Sequence, residues 1–228
     1  MKKIFLMIIA VIILQSNVCY AEFSDVKEEQ NKAIIEHLAE KGIINGTSEN
    51  TFSPLADVTR AEFSKMVCLA LKYEETDFKN IFSDVSEDDW FYGYVNILAS
   101  KNIINGYEDG LFLPYGKITN EQAAKILVSA YEAETNGLKY EGTFATFMND
   151  YYDISPWARE YVNKGVMIGA VRSLEYPTDM ENYYPWFRSE FNDYNPKGNL
   201  KRFEAAEIIY NVMNAIEITK RSEAVGKE

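Results

Sequence analysis

The chain has little of what most chemistry on proteins requires. It holds one histidine and two cysteines in 228 residues, and basic side chains number 23 against 35 acidic ones. A lone His37 has no second imidazole or thiolate with which to build a zinc site. Cys19 falls in the leader described below, so Cys68 alone remains; an internal disulfide is excluded and stability must come from packing. The scarcity of positive charge excludes the basic stripe on which phosphate binding depends, so nucleic acid is not an expected partner. Only one long apolar run is present, residues 4–14, and it is too short to span a bilayer.

That run follows Lys2 and Lys3 and reads as a signal peptide, 1–21, cleaved after Ala21. Val18 before Cys19 argues against a lipoprotein site. Removal of the leader leaves 21 basic and 35 acidic side chains, a net charge of −14. With no second apolar stretch, no membrane insertion is expected after cleavage. The 14% aromatic content supplies bulk for a core and flat faces on which sugars can stack.

What is present is an internal repeat. Phe23-Ser24-Asp25-Val26 returns as Phe82-Ser83-Asp84-Val85, and Gly42-Ile43-Ile44-Asn45-Gly46 as Asn102-Ile103-Ile104-Asn105-Gly106. Phe52-Ser53-Pro54 returns as Phe112-Leu113-Pro114, and Val58-Thr59-Arg60-Ala61-Glu62 as Ile118-Thr119-Asn120-Glu121-Gln122. A third, worn copy aligns Asp153 and Trp157 with Asp84 and Trp90, the run Gly165-Val166-Met167-Ile168-Gly169 with the Gly42 run, and Leu200-Lys201-Arg202-Phe203-Glu204 with the Val58 run. In that alignment its first helix is a turn short and its loop is long, with a surplus over 171–198 that holds Tyr183, Tyr184, Trp186, Phe187, Phe191 and Tyr194.

Each copy reads as helix, loop, helix. Ile34, Ile35 and Leu38, then Tyr94, Val95 and Leu98, recur at helical spacing. Gly42 supplies the left-handed residue that stops a helix. Thr59 with Glu62, and Thr119 with Gln122, are capping boxes that start the second helix. No such pair buries its stripe alone, so the copies are expected to share one core. The organisation is signal peptide 1–21, repeat one 22–80, repeat two 81–140, repeat three 141–218 with an aromatic insertion 171–198, and a flexible tail 219–228.

The pieces Phe-x-Asp-Val, a Trp opening the first helix, Gly-Ile-Ile-Asn-Gly, Phe-x-Pro and Val-Thr-Arg-Ala-Glu resemble the S-layer homology (SLH) family. The resemblance implies an all-α fold in which three helix-loop-helix repeats close into a pseudo-threefold bundle. It implies non-covalent binding of a secondary cell-wall polysaccharide, often pyruvylated, in grooves between repeats, with no cofactor, no metal and no catalysis. It further implies a secreted protein held at the cell wall or S-layer of a Gram-positive-type bacterium. Carried onto this chain, the family's glycan-binding positions are Asp25, Gly46 and Arg60 in repeat one, where Gln30 holds the Trp slot. They are Asp84, Trp90 and Gly106 in repeat two, where Asn120 replaces Arg, and Asp153, Trp157, Gly169 and Arg202 in repeat three.

Each position also has a plainer reading. The aspartates can turn the chain before a helix. The tryptophans can pack between repeats, and Arg60 can be a solvated charge whose loss costs little stability. Tyr107-Glu108-Asp109-Gly110 lacks the alternating acids of a calcium loop and is a turn. Cys68 lies in an apolar helix pattern and is expected to be buried and inert. The chain is expected to stand alone as a wall-binding module. The alternative is a scaffold that has lost glycan binding and contacts another surface protein through the aromatic insertion.

Overall fold

A computed structural model describes residues 23–27, 29–74, 79–138, 145, 148–172 and 193–225. The signal peptide 1–21 and the insertion aromatics Tyr183, Tyr184, Trp186, Phe187 and Phe191 therefore lie outside the described residues. Six α-helices and no strand occur among them: α1 (Glu29–Glu40), α2 (Arg60–Ala70), α3 (Tyr92–Ser100), α4 (Asn120–Glu134), α5 (Arg159–Met167) and α6 (Arg202–Val225). None is long and apolar enough to cross a membrane.

Both capping boxes form. Thr59 accepts from the Glu62 amide while Glu62 accepts from the Thr59 amide, and Thr119 and Gln122 do the same. At the start of α6 only half survives, because Lys201 has no oxygen to offer; its amide still donates to Glu204 at 2.8 Å. The Lys201 ammonium instead pairs with Asp57 of repeat one at 2.5 Å.

The second helices do not end in water. A helix leaves its first amides without internal acceptors, and here the following repeat supplies them. Arg60 N–H donates to Gly116 O, Asn120 N–H to Gly198 O, and Arg202 N–H to Ala56 O, at 2.9, 3.0 and 2.9 Å. One residue on, Ala61, Glu121 and Phe203 donate to the carbonyls of Pro114, Pro196 and Pro54. At the centre the buried Val58, Ile118 and Leu200 close a cycle: Val58 donates to Leu200, Leu200 to Ile118, and Ile118 to Val58, at 2.9 to 3.0 Å. Buried backbone groups must be paired, and each of these finds its partner in another repeat. The three segments thus complete one another, and the pseudo-threefold expectation is met at the level of backbone hydrogen bonds.

Helix packing follows the same circulation. The first helix of each segment lies against the second helix of the segment before it: α3 on α2, α5 on α4, and α1 on α6. The main core runs through all three segments, with Phe52, Phe63, Phe91, Phe112, Leu38 and Leu98 among its fully buried members. A smaller cluster, including Ala124, Met148, Ile154, Val162 and Tyr194, sits apart between α4 and α5. Cys68 is buried, and burial pushes its thiol up to about 11. His37 is exposed and meets the Tyr210 ring edge-on at 5.6 Å.

The geometry corrects the expected alignment of the third segment. Gly42, Asn102 and Gly169 all follow a helix end with positive φ, at 69°, 58° and 71°, and the residue after each bonds back to the helix. Gly169 therefore corresponds to Gly42 and Asn102, and not to the loop glycines Gly46 and Gly106. With that shift α5 is no shorter than α3; both run nine residues. The expected tail also changes, since α6 continues to Val225. Tyr131 shares a hydroxyl hydrogen bond with Thr219, Lys220 pairs with Glu134, and Glu223 accepts from the Asn136 amide.

Candidate functional site: the seams between repeats

Each loop is first held from within its own repeat. Asp25 accepts from the amides of Phe52 and Ser53 at 2.8 and 2.7 Å, and Asp84 from those of Phe112 and Leu113 at 2.7 and 2.8 Å. The second residue of each pair is left-handed, Ser53 and Leu113 both at φ 57°, a conformation costly for a side-chain-bearing residue. The carboxylate compensates by tying both amides. In the third segment the residue that does this is Asp150, bonded to the amides of Tyr194 and left-handed Asn195. Asp153, chosen from the sequence, lies in a 3-10 turn (Tyr151–Asp153), exposed and away from those amides. Burial works to raise the Asp25 carboxyl, but its backbone donors and the nearby Arg202 outweigh this and hold it below its ordinary value.

The loop glycines answer to packing. A Cβ on Gly46 would come within 2.7 Å of the Phe23 ring, and one on Gly106 within 2.6 Å of the Phe82 ring. Each of those rings in turn packs on the loop phenylalanine, Phe52 or Phe112. The repeated Phe and Gly are thus one structural unit.

The arginines cross the seams. Arg60 reaches from α2 into the loop of repeat two, where Nε donates to Phe112 O at 2.8 Å and Nη2 to Asn105 O at 3.2 Å, with the guanidinium over the Phe112 ring. Arg202 makes the matching bonds from α6 to Phe52 O and Asn45 O of repeat one, at 2.8 and 2.6 Å, over the Phe52 ring. Both are only 6% exposed. The solvated-charge reading is therefore overturned: these side chains are buried braces between neighbours. Asn120, the third in the series, donates to the carbonyls of Tyr194 and Asn195. The Arg-to-Asn change keeps the brace and removes the charge.

Each seam is then finished differently. Between repeats one and two, Trp90 is 52% exposed, with Lys65 of α2 over its ring at 5.7 Å. Phe91 connects the Trp90 ring to that of exposed Tyr115, and Arg60 also lies over Tyr107. The Lys125 ammonium faces the Asn105 side-chain oxygen at 3.0 Å, once that amide is oriented to satisfy both its neighbours. Burial, then repulsion from Arg60, depresses the Lys125 pKa. No carboxylate among the described residues forms an ion pair with Arg60, Lys65 or Lys125, although Asp84 lies near Arg60 and favours its charge, as Asp25 does for Arg202.

Between repeats two and three, Trp157 is 49% exposed and Tyr152 more so, but the seam carries its own acid. Glu121 occupies the place of Ala61 and is 4% exposed. It accepts from the Ser155 amide and hydroxyl, both at 3.0 Å, and pairs with Lys197 at 2.6 Å. At the third seam, Arg202 has Glu62 and Asp25 nearby, and Arg172 pairs with Glu204 and Glu207. The side chain of Gln30 lies outside the described residues. Sequence reasoning missed Lys65, Tyr115, Lys125 and Glu121, although the departure of Glu121 from Ala61 in an otherwise matching run was a readable signal. No cluster of potential metal ligands occurs among the described residues.

Residues 22–64 and 81–124 match the S-layer homology domain family. An exoglucanase, XynX, of Acetivibrio thermocellus is 33% identical over 192 residues, 84% of this chain and 16% of its own length. The surface-layer 125 kDa protein of Lysinibacillus sphaericus is 32% identical over 144 residues, 63% of this chain and 12% of its own length. The middle cell wall protein of Brevibacillus brevis is 25% identical over 151 residues, 64% of this chain and 13% of its own length. The chain thus spans less than a fifth of each of these relatives. The matched segments and the hydrogen-bonded seams that join them agree: the chain carries S-layer homology domain repeats at 22–64 and 81–124.

Proposed function

We propose that this chain attaches non-covalently to a secondary cell-wall polysaccharide at the surface of a Gram-positive-type bacterium, and that the seam between repeats one and two is where it does so. In this reading the segment from 141 to 218 is a third, diverged SLH repeat, which the closed hydrogen-bond circulation supports, as does an alignment to XynX too long to fit within the two matched segments. The carrying observation is the pairing, in one seam, of exposed Trp90 and Tyr115 with Arg60, Lys65 and Lys125, in a chain that is otherwise acidic. Aromatic faces suit sugar rings. Lys65 and Lys125, which form no ion pair with a described carboxylate, suit a carboxylate such as a pyruvate ketal, and Arg60, with Asp84 nearby, adds to their field. Asp25, Asp84, Gly46, Gly106 and Arg202 serve this reading indirectly, by shaping loops. Trp157 retains a platform in a seam whose charge is already balanced.

The test is co-sedimentation with purified cell walls before and after extraction of the secondary polymer. Binding is expected to vanish on extraction; retention on stripped walls would sink the proposal. Because Arg60 also braces the fold, Trp90→Ala and Lys65→Ala are the informative variants.

A further inference from the structure

The acid-bearing seam contains a site of its own. Three donors converge there: the Ser155 N–H, the Ser155 hydroxyl and the Lys197 ammonium. The first two belong to the approach to α5 and the third to the loop that precedes α6. The Lys197 ammonium also bonds the Ser155 hydroxyl, so the donors support one another. What they hold is the carboxylate of Glu121, from the first turn of α4 in a different repeat.

Nothing in the helix start requires that acid. The capping box of α4 is made by Thr119 and Gln122, and the first-turn donor role of Glu121 is its backbone N–H, which bonds Pro196 O whatever the side chain. The matching residue of α2 is Ala61, fully buried beside an equally complete capping box. A nearly buried carboxylate is costly unless its oxygens are saturated, and here two donors on the backbone and hydroxyl of one residue, plus one cation, saturate it. Such a set, aimed at a group of acetate size, is a carboxylate receptor.

We propose that the seam between repeats two and three is a carboxylate-binding cradle occupied by the chain's own Glu121, which excludes a free carboxylate, including that of a sugar acid, from Ser155 and Lys197. The seam was not filled with apolar bulk, as a purely structural plug would be. Its receptor is kept, and an internal side chain stands in for the ligand. One substitution then separates a closed seam from an open one. The cradle is defined by these contacts alone and stands or falls independently of wall binding.

The experiment is chemical rescue with sodium acetate, against sodium chloride at equal ionic strength. Glu121→Ala is expected to fold, since Ala61 serves the same position in α2. In that variant, acetate should move the Ser155 amide resonance saturably in a 15N–1H spectrum and raise Tm by about 3 °C at 100 mM, as ligand linkage predicts for a midpoint on the order of 10 mM. The unaltered chain and Glu121→Gln, whose cradles stay filled, should show neither response at Ser155. A variant that folds only with acetate present would equally support the cradle. The proposal is overturned if Ser155 responds alike in all three proteins, if it is unmoved in folded Glu121→Ala, or if that variant remains unfolded at every acetate concentration.

Discussion

The seam between repeats one and two and the seam between repeats two and three are built on the same backbone and end in opposite chemistry. In both, the first amides of a second helix reach the carbonyls of the next loop, and in both a tryptophan stands about half exposed at the entrance to the following helix. In the first seam position 60 is Arg and position 61 is Ala; in the second the matching residues are Asn120 and Glu121. Two adjacent substitutions remove one positive charge and add one negative charge, while Tyr115 gives way to Lys197 to balance the result. The lesson is that the closed ring depends on backbone bonds, which tolerate such exchange, whereas the charge at each rim is set by a few side chains.

That contrast can be broken in several ways. The largest expected effect is on stability. Arg60→Ala or Arg202→Ala leaves two loop carbonyls without their donor and vacates a buried position, at a cost of about 3 kcal/mol and a fall in Tm of roughly 6–12 °C by calorimetry. Asn120→Ala, which removes only an uncharged brace, should cost about 1 kcal/mol. Equal losses would show that the arginines are not specially buried. Next is wall retention: Trp90→Ala should weaken co-sedimentation about tenfold, as loss of one stacking and packing face suggests, with little change in Tm. Trp157→Ala should leave it unaltered, and the reverse order would move the binding seam. Third, retention should fall several-fold between 50 and 300 mM salt as screening weakens the Arg60, Lys65 and Lys125 field, and Lys65→Ala should flatten that dependence. The smallest effect concerns acid stability. The Asp25 carboxyl lies below its ordinary value of 3.8 in the fold, so its contribution is complete above that pH and is lost as pH falls through the lower folded value. Asp25→Asn should therefore give the acid limb of a pH–Tm profile a slightly shallower slope below pH 4; an unchanged limb would mean the loop clamp contributes nothing through its charge.

Much of this architecture was legible because it is local. Capping boxes lie within four residues, and helix stops and loop punctuation repeat at nearly constant spacing, so α2 and α4 could be placed from their first residues. The third segment was misregistered for a physical reason. Gly165 and Gly169 imitate the spacing of the helix stop Gly42 and the loop glycine Gly46 in sequence, but Gly165 is inside α5, and Gly169 is its left-handed stop. Asp150 was passed over for Asp153 because both are acids ahead of a helix, and only the amides of Tyr194 and Asn195, more than forty residues away, distinguish them. Arg60 was weighed as ligand or solvent-facing charge, when its partner is the loop of another repeat.

The sequence by itself determined that this is an acidic, disulfide-free array of helical hairpins with a repeated Phe-Asp, Gly and Thr-x-x-Glu grammar, because those properties reside in composition and in contacts a few residues apart. Only the tertiary structure decided which residues meet at the seams, that Arg60 and Arg202 are buried braces, and that Glu121 bonds Ser155 and Lys197. Those outcomes depend on closing the ring, which brings together side chains from distant segments and decides, seam by seam, whether a charge meets an opposite charge from its neighbour.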